Sequence, residues 1–85
     1  MVPVVIYTRA YCSYCTWAKE LLRRKGVAFD EIDVTGHREH RAEMIRRANG
    51  QTTTPQIFIG STHVGGCDEL YALERAGRLD ALLAA

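Results

Sequence analysis

Along the chain the spacing of apolar and polar positions changes several times, and each change marks an element. Val4 to Thr8 is an almost continuous apolar run of strand length. From about Ser13 to Lys25 apolar residues recur at helical spacing, with Trp17, Leu21 and Leu22 on the expected inner face, and Gly26 stops the helix. Phe29 to Val34 alternates at period two, which predicts a half-buried strand near a sheet edge and completes a β-α-β unit. His37 to Ala48 is rich in charge, with Met44 and Ile45 as its apolar contacts and Asn49-Gly50 as its stop, so a solvated surface helix is expected. Ile57-Phe58-Ile59 and Thr62-His63-Val64 flank Gly60-Ser61, a two-residue hairpin turn. Asp68 to Ala76 reads as a short helix with Leu70 and Leu73 inward, and after Gly77 a last turn holds Leu79, Leu82 and Leu83. The order β-α-β-α-β-β-α predicts an α/β protein whose mixed four-stranded sheet is flanked by helices.

Length and charge narrow the range of functions. Eighty-five residues fit one domain, spanning 1–85, near the small end of what buries its own core, so one site is expected to explain the molecule. The net charge of +1 is spread along the chain and gives no electrostatic footprint for nucleic acid or an anionic membrane surface. No apolar run approaches the ~18 residues of a membrane span, and no basic segment followed by a long apolar stretch opens the chain. Three cysteines is an odd count, unlike the dense even sets of secreted disulfide scaffolds. A cytoplasmic protein in a reducing compartment is expected, with any disulfide transient.

The chemistry concentrates at Cys12-Ser13-Tyr14-Cys15, where the first strand gives way to the first helix. A C-x-x-C pair at the mouth of a β-α-β unit reads as a redox dithiol, because the unpaired N–H groups of a helix start stabilise a thiolate. Two further motifs accompany it: Thr53-Thr54-Pro55 before the third strand and Gly65-Gly66-Cys67-Asp68 opening the third helix. The glycines permit a tight turn into a helix whose free N–H groups suit an anion.

These three motifs, in this order and spacing, resemble the small dithiol glutaredoxins over the whole chain. The resemblance implies a thioredoxin-like fold and a glutathione-dependent thiol–disulfide oxidoreductase acting on protein disulfides and glutathione mixed disulfides. It implies that Cys12 is the exposed nucleophile and Cys15 the shielded resolving thiol. A thiol with a pKa near 8.5 is only about 3% thiolate at neutral pH, and lowering it by about three units raises that fraction roughly thirtyfold. Intrinsic nucleophilicity falls by a similar factor at a Brønsted slope of about 0.4 to 0.5, so the larger benefit is that a low-pKa sulfur is a good leaving group.

By the same resemblance Pro55 is cis and Thr54 pairs its backbone with glutathione, a strand addition in miniature. The N–H groups at Cys67 and Asp68 hold the γ-glutamyl carboxylate, and the Asp68 side chain takes the ammonium. An Asp at this point also reads as an ordinary helix cap. Arg9 stands where the family usually has lysine and would bind the glycyl carboxylate, with Arg41 as a second cation, although surface arginine is the default for such a helix. Tyr14 would wall the glutathione site or dock protein substrates. Trp17 reads as packing, His37 and His40 as solvated surface residues, and Cys67 as a small buried thiol.

Rival readings use the same residues. Cys12, Cys15, His63 and Cys67 have acceptable types and spacing for zinc, yet a zinc site would not require Thr54-Pro55 or Gly65-Gly66, so no metal ligand set is assigned. Ser13 replaces the proline common after the first cysteine of dithiol glutaredoxins and resembles cluster-binding members. The alternative is therefore a dimer in which two Cys12 thiolates and two glutathiones hold a [2Fe-2S] cluster. Without a cluster the expectation is a monomer. Redoxins served by thioredoxin reductase lack the glutathione site, so Arg9 with Gly65-Gly66-Cys67-Asp68 argues for glutathione as reductant.

Overall fold

The computed structural model describes residues 2–85. Its elements run β1 (Val4–Thr8), α1 (Ser13–Arg24), β2 (Asp30–Asp33), α2 (Arg38–Arg47), β3 (Gln56–Ile59), β4 (Thr62–Gly65), α3 (Cys67–Arg75) and α4 (Leu79–Ala84). The sheet order is β2-β1-β3-β4, with β1 parallel to β2 and antiparallel to β3, and β4 antiparallel to β3. Central β1 and β3 are buried nearly throughout, which is why they read as unbroken apolar runs. Edge strand β2 is mostly exposed and shorter than the predicted Phe29 to Val34, because those two residues leave the ladder to pack at its ends.

Side-chain alternation along the central strands serves two cores at once. Val4, Ile6, Ile57 and Ile59 pack with Ala18 and Leu22 of α1, Leu70 of α3, and Leu79 and Leu83 of α4. Tyr7 and Phe58 face the other way, onto Val34 and the Met44 and Ala48 of the α2 segment. Helices therefore cover both faces, and the predicted final turn is a separate short helix, α4.

Trp17 departs from expectation: it is 48% exposed and sits edge-on to Tyr14 at 5.4 Å between ring centroids. The buried stripe of α1 runs Cys15, Ala18, Leu22, with Leu21 at its margin. At 3.6 residues per turn Trp17 lies about 200° around the helix from Cys15, beyond that margin. Helix α2 is attached by polar groups as much as by Met44. The buried Tyr7 hydroxyl is hydrogen-bonded to Glu43 and accepts from Arg47 at 2.8 Å, and the Arg47 guanidinium lies 4.4 Å over the Phe58 ring. Similarly, Lys25 at the end of α1 ties Glu74 of α3 at 3.0 Å and Asp80 of α4 at 2.8 Å.

Candidate active site

After β1 the chain rises through Arg9, Ala10 and Tyr11. Tyr11 adopts a left-handed φ of 58° and projects fully into solvent. This turn delivers Cys12 to the N-cap of α1, where its Sγ accepts the Cys15 N–H at 3.2 Å, one of the donors a helix start leaves unpaired. Cys12 is partly exposed and Cys15 is buried, and both are free thiols. The Thr54-Pro55 bond is cis, and the Thr54 hydroxyl and carbonyl each lie 3.7 Å from Cys12 Sγ. A carbonyl can only accept from the S–H form, whereas the hydroxyl can donate to the thiolate.

These neighbours separate the two thiols. Burial pushes Cys12 up, but the hydrogen bonds from Cys15 and Thr54 and the Arg9 charge outweigh it, holding Cys12 below the ordinary thiol value. Burial, then the hydrogen bond with Cys12, pushes Cys15 up to about 11. When Cys12 enters a mixed disulfide its negative charge vanishes, and that part of the elevation of Cys15 goes with it.

At the start of α3, Gly65 has φ 109° and Gly66 is the N-cap. The φ of Gly65 is one that L side chains rarely adopt, and a Cβ there would also meet the Glu69 side chain at 3.0 Å, so this position favours glycine. The expected capping by Asp68 is corrected here. Asp68 lies in the first turn, and it is Glu69 that reaches back to accept the Gly66 N–H at 2.7 Å. Asp68 is thereby left exposed, with the first-turn N–H groups beside it lacking intrahelical acceptors.

Arg9, Tyr14, Arg41, Thr54, Pro55, Cys67 and Asp68 all line one open cleft of about 630 Å³. Cys12 and Cys15 line an adjoining cleft of about 550 Å³, and Arg9 is shared by both. Thr53, expected only as part of its motif, also walls the first cleft, as do Thr52 and Glu69, which escaped the sequence reading although the run of three threonines was a signal. Tyr11 escaped it as well. His37 and His40 are exposed, with ring centroids 5.2 Å apart, and line neither cleft. The zinc set does not assemble: the His63 ring is hydrogen-bonded to Gln56 and stacked on Phe58, and no three His, Cys, Asp or Glu side chains among the described residues are grouped to hold a metal.

The sheet order and flanking helices define a thioredoxin-like fold, with a free C-x-x-C dithiol at the start of its first helix. The glutaredoxin family model matches residues 4–64, and the chain belongs to the glutaredoxin family, whose activity is thiol–disulfide oxidoreduction. It is 67% identical to the glutaredoxin of Pseudomonas aeruginosa over 85 residues, covering 100% of both chains. It is 54% identical to glutaredoxin 3 of Escherichia coli K12 over 83 residues, covering 98% of this chain and 99% of that one. A buckwheat glutaredoxin–glutathione complex superposes with a TM-score of 0.87 at 31% identity, covering 98% of this chain and 77% of that one. No helix among the described residues is long and apolar enough to cross a membrane.

Proposed function

We propose that the chain is a single glutaredoxin domain that acts in the cytoplasm as a monomer and uses glutathione to reduce protein disulfides and glutathione mixed disulfides. The observation that carries this reading is the placement of Cys12: its sulfur takes an N–H from Cys15 and lies 3.7 Å from the Thr54 hydroxyl, at the wall of a cleft that also holds Arg9, Arg41 and the start of α3. A glutathione in that cleft would set its γ-glutamyl carboxylate at the N–H groups of Cys67 and Asp68, its ammonium at the Asp68 carboxylate, its backbone along Thr54 and Pro55, and its glycyl carboxylate at Arg9 and Arg41, with Tyr14 as a wall. The buckwheat complex supports glutathione as the ligand.

In this account the Cys12 thiolate attacks the glutathione sulfur of a mixed disulfide. That S–S bond breaks, a new one joins Cys12 to glutathione, and the departing protein thiolate takes a proton from water. A second glutathione thiolate then attacks the bound glutathione sulfur, producing glutathione disulfide and restoring the Cys12 thiolate. With a protein disulfide, Cys12 forms the mixed disulfide and Cys15 loses its proton and attacks Cys12 Sγ. The protein leaves reduced by two electrons, and two glutathiones reduce the Cys12–Cys15 bond. A glutathione-coupled assay on a small glutathionylated substrate tests the reading. Saturable turnover that requires Cys12 supports it, and turnover only with thioredoxin reductase contradicts it.

The second reading uses the same sulfur. Ser13, exposed at the first helical position, leaves the loop free of proline, and Cys12 is partly exposed. Since no ligand set converges within the described residues, a [2Fe-2S] cluster would need one Cys12 from each of two chains and two glutathiones. A solved relative at 61% identity concerns metal binding of glutaredoxins.

A further inference from the structure

The segment from Gln51 to Thr54 has no regular secondary structure, yet it supplies one wall of the cleft and the hydroxyl that reaches Cys12. Gln51, Thr52 and Thr53 are exposed, so apolar burial does not hold them. Apart from the Gln51 N–H, which donates to the Ala48 carbonyl at 3.2 Å, what holds them comes from β3. Gln56, the first residue of that strand, is fully buried, and its side-chain amide nitrogen lies 3.1 Å from the Thr53 carbonyl, 3.2 Å from the Thr53 hydroxyl and 3.2 Å from the Gln51 side-chain oxygen. A backbone carbonyl only accepts, so the NH₂ end of the amide must face the loop and the Oε1 end must face His63 Nε2, 2.7 Å away. An amide oxygen also only accepts, so His63 Nε2 carries the proton. The His63 ring is itself fixed by stacking on Phe58, with centroids 4.9 Å apart and planes 24° apart. Phe58 belongs to the core beneath α2.

We infer that Gln56 and His63 are a positioning pair: His63 sets the orientation of the Gln56 amide, and that amide fixes the Thr53 backbone so that Thr54 meets Cys12 and the cleft keeps its shape. Neither side chain lines either cleft. The alternative is a pair that only satisfies a buried polar group, which would affect stability and nothing at the sulfur. The part of the inference that concerns glutathione rests on the proposed function. The part that concerns Cys12 does not.

The test is therefore read two ways, on Gln56→Leu, Gln56→Glu, His63→Phe and His63→Gln. Gln56→Glu keeps an acceptor toward His63 but removes the N–H groups that hold Thr53. Gln56→Leu removes both ends. The KM for glutathione is expected to rise about five- to tenfold in both, the effect of one or two hydrogen bonds, with kcat within about twofold. Titration of the Cys12 thiolate by ultraviolet absorbance should move toward alkaline pH, since a loosened Thr54 hydroxyl no longer favours the anion. His63→Phe keeps the stacked ring and loses the donor, so it should move both readouts in the same direction. His63→Gln restores a donor and should return them toward wild type. If Gln56→Leu fails to fold, His63→Phe carries the test. A lower melting temperature with unchanged KM and unchanged Cys12 titration would overturn the pair's positioning role. Should the wild-type protein show no dependence on glutathione, the functional reading fails, and the Cys12 titration alone decides: a shift upholds the pair and no shift overturns it.

Discussion

Two cysteines stand at helix starts in this molecule, and they are held in opposite states. Cys12 is the N-cap of α1, where its sulfur points back at the Cys15 N–H and has Arg9 as its nearby charge. Cys67 is the first residue inside α3, behind the Gly66 cap. Burial pushes its thiol up, followed by the negative charges of Asp68, Cys12 and Glu69. A helix dipole is therefore not enough to activate a thiol. Cys12 differs from Cys67 in occupying the cap itself, with part of its surface open and the Arg9 charge nearby. At the cap the Cys12 sulfur takes a helix N–H; one position in, the Cys67 sulfur is buried, and in the proposed function it is the backbone N–H that meets the glutathione carboxylate.

That contrast is broken most severely at Cys12. Cys12→Ser should lower exchange on any disulfide by more than about a thousandfold, to background, measured by glutathione-coupled turnover. Cys15→Ser should divide the activities: reduction of protein disulfides falls steeply, while reduction of a small glutathionylated substrate stays within a few-fold of wild type, because glutathione itself can resolve the intermediate. Complete loss on the small substrate would reverse the assigned roles.

At the other helix, Asp68→Lys reverses the charge offered to the ammonium and should raise the KM for glutathione about tenfold, consistent with a lost charged hydrogen bond. Unchanged dependence on glutathione would remove the α3 start from the site. Cys67→Ser, in contrast, should change turnover by less than about threefold, because the backbone N–H survives the substitution.

Much of this arrangement was legible along the chain. Val4 to Thr8, the Ser13 start of α1, the Gly60-Ser61 hairpin and Gly65-Gly66 announce themselves because each depends on local chemistry: an apolar run, a helix start, or a turn that favours glycine. The seven residues around the first cleft could be named through family resemblance, and their convergence is a tertiary fact. Trp17 misled because period alone does not say which of two adjacent stripes faces the sheet, and small Ala18 marks the closer one. The cis form of Thr54-Pro55 is no local property either, since only about 5 to 6% of X–Pro bonds in folded proteins adopt it. Gln56 stands just before the Ile57-Phe58-Ile59 run and carries no signal of its own, and its use is visible only once Thr53 and His63 are seen on either side of it.

The smallest effect is expected beside the cap, at Ser13, the first helical position. Ser13→Pro should leave thiol exchange nearly intact, since proline suits the first helical position. It should weaken any glutathione-ligated cluster formed on anaerobic reconstitution with iron and sulfide, followed by visible absorbance and sedimentation. A wild-type protein that stays colourless and monomeric while active in exchange would remove the cluster reading alone.

The central claim is that Cys12 alone, of the three thiols, is held below the ordinary thiol pKa. Residue-resolved alkylation across a pH series, quantified by mass spectrometry, tests it most directly, because the alkylation rate follows the thiolate fraction. A lowered pKa moves the rise of the curve to acid pH, and a raised one moves it to alkaline pH. The account predicts that the Cys12 curve rises to the acid side of the free-thiol midpoint, while Cys67 rises to the alkaline side of it and Cys15 only toward about 11. A Cys12 curve that coincides with that of a free thiol, or a Cys67 curve to the acid side of it, would contradict the account.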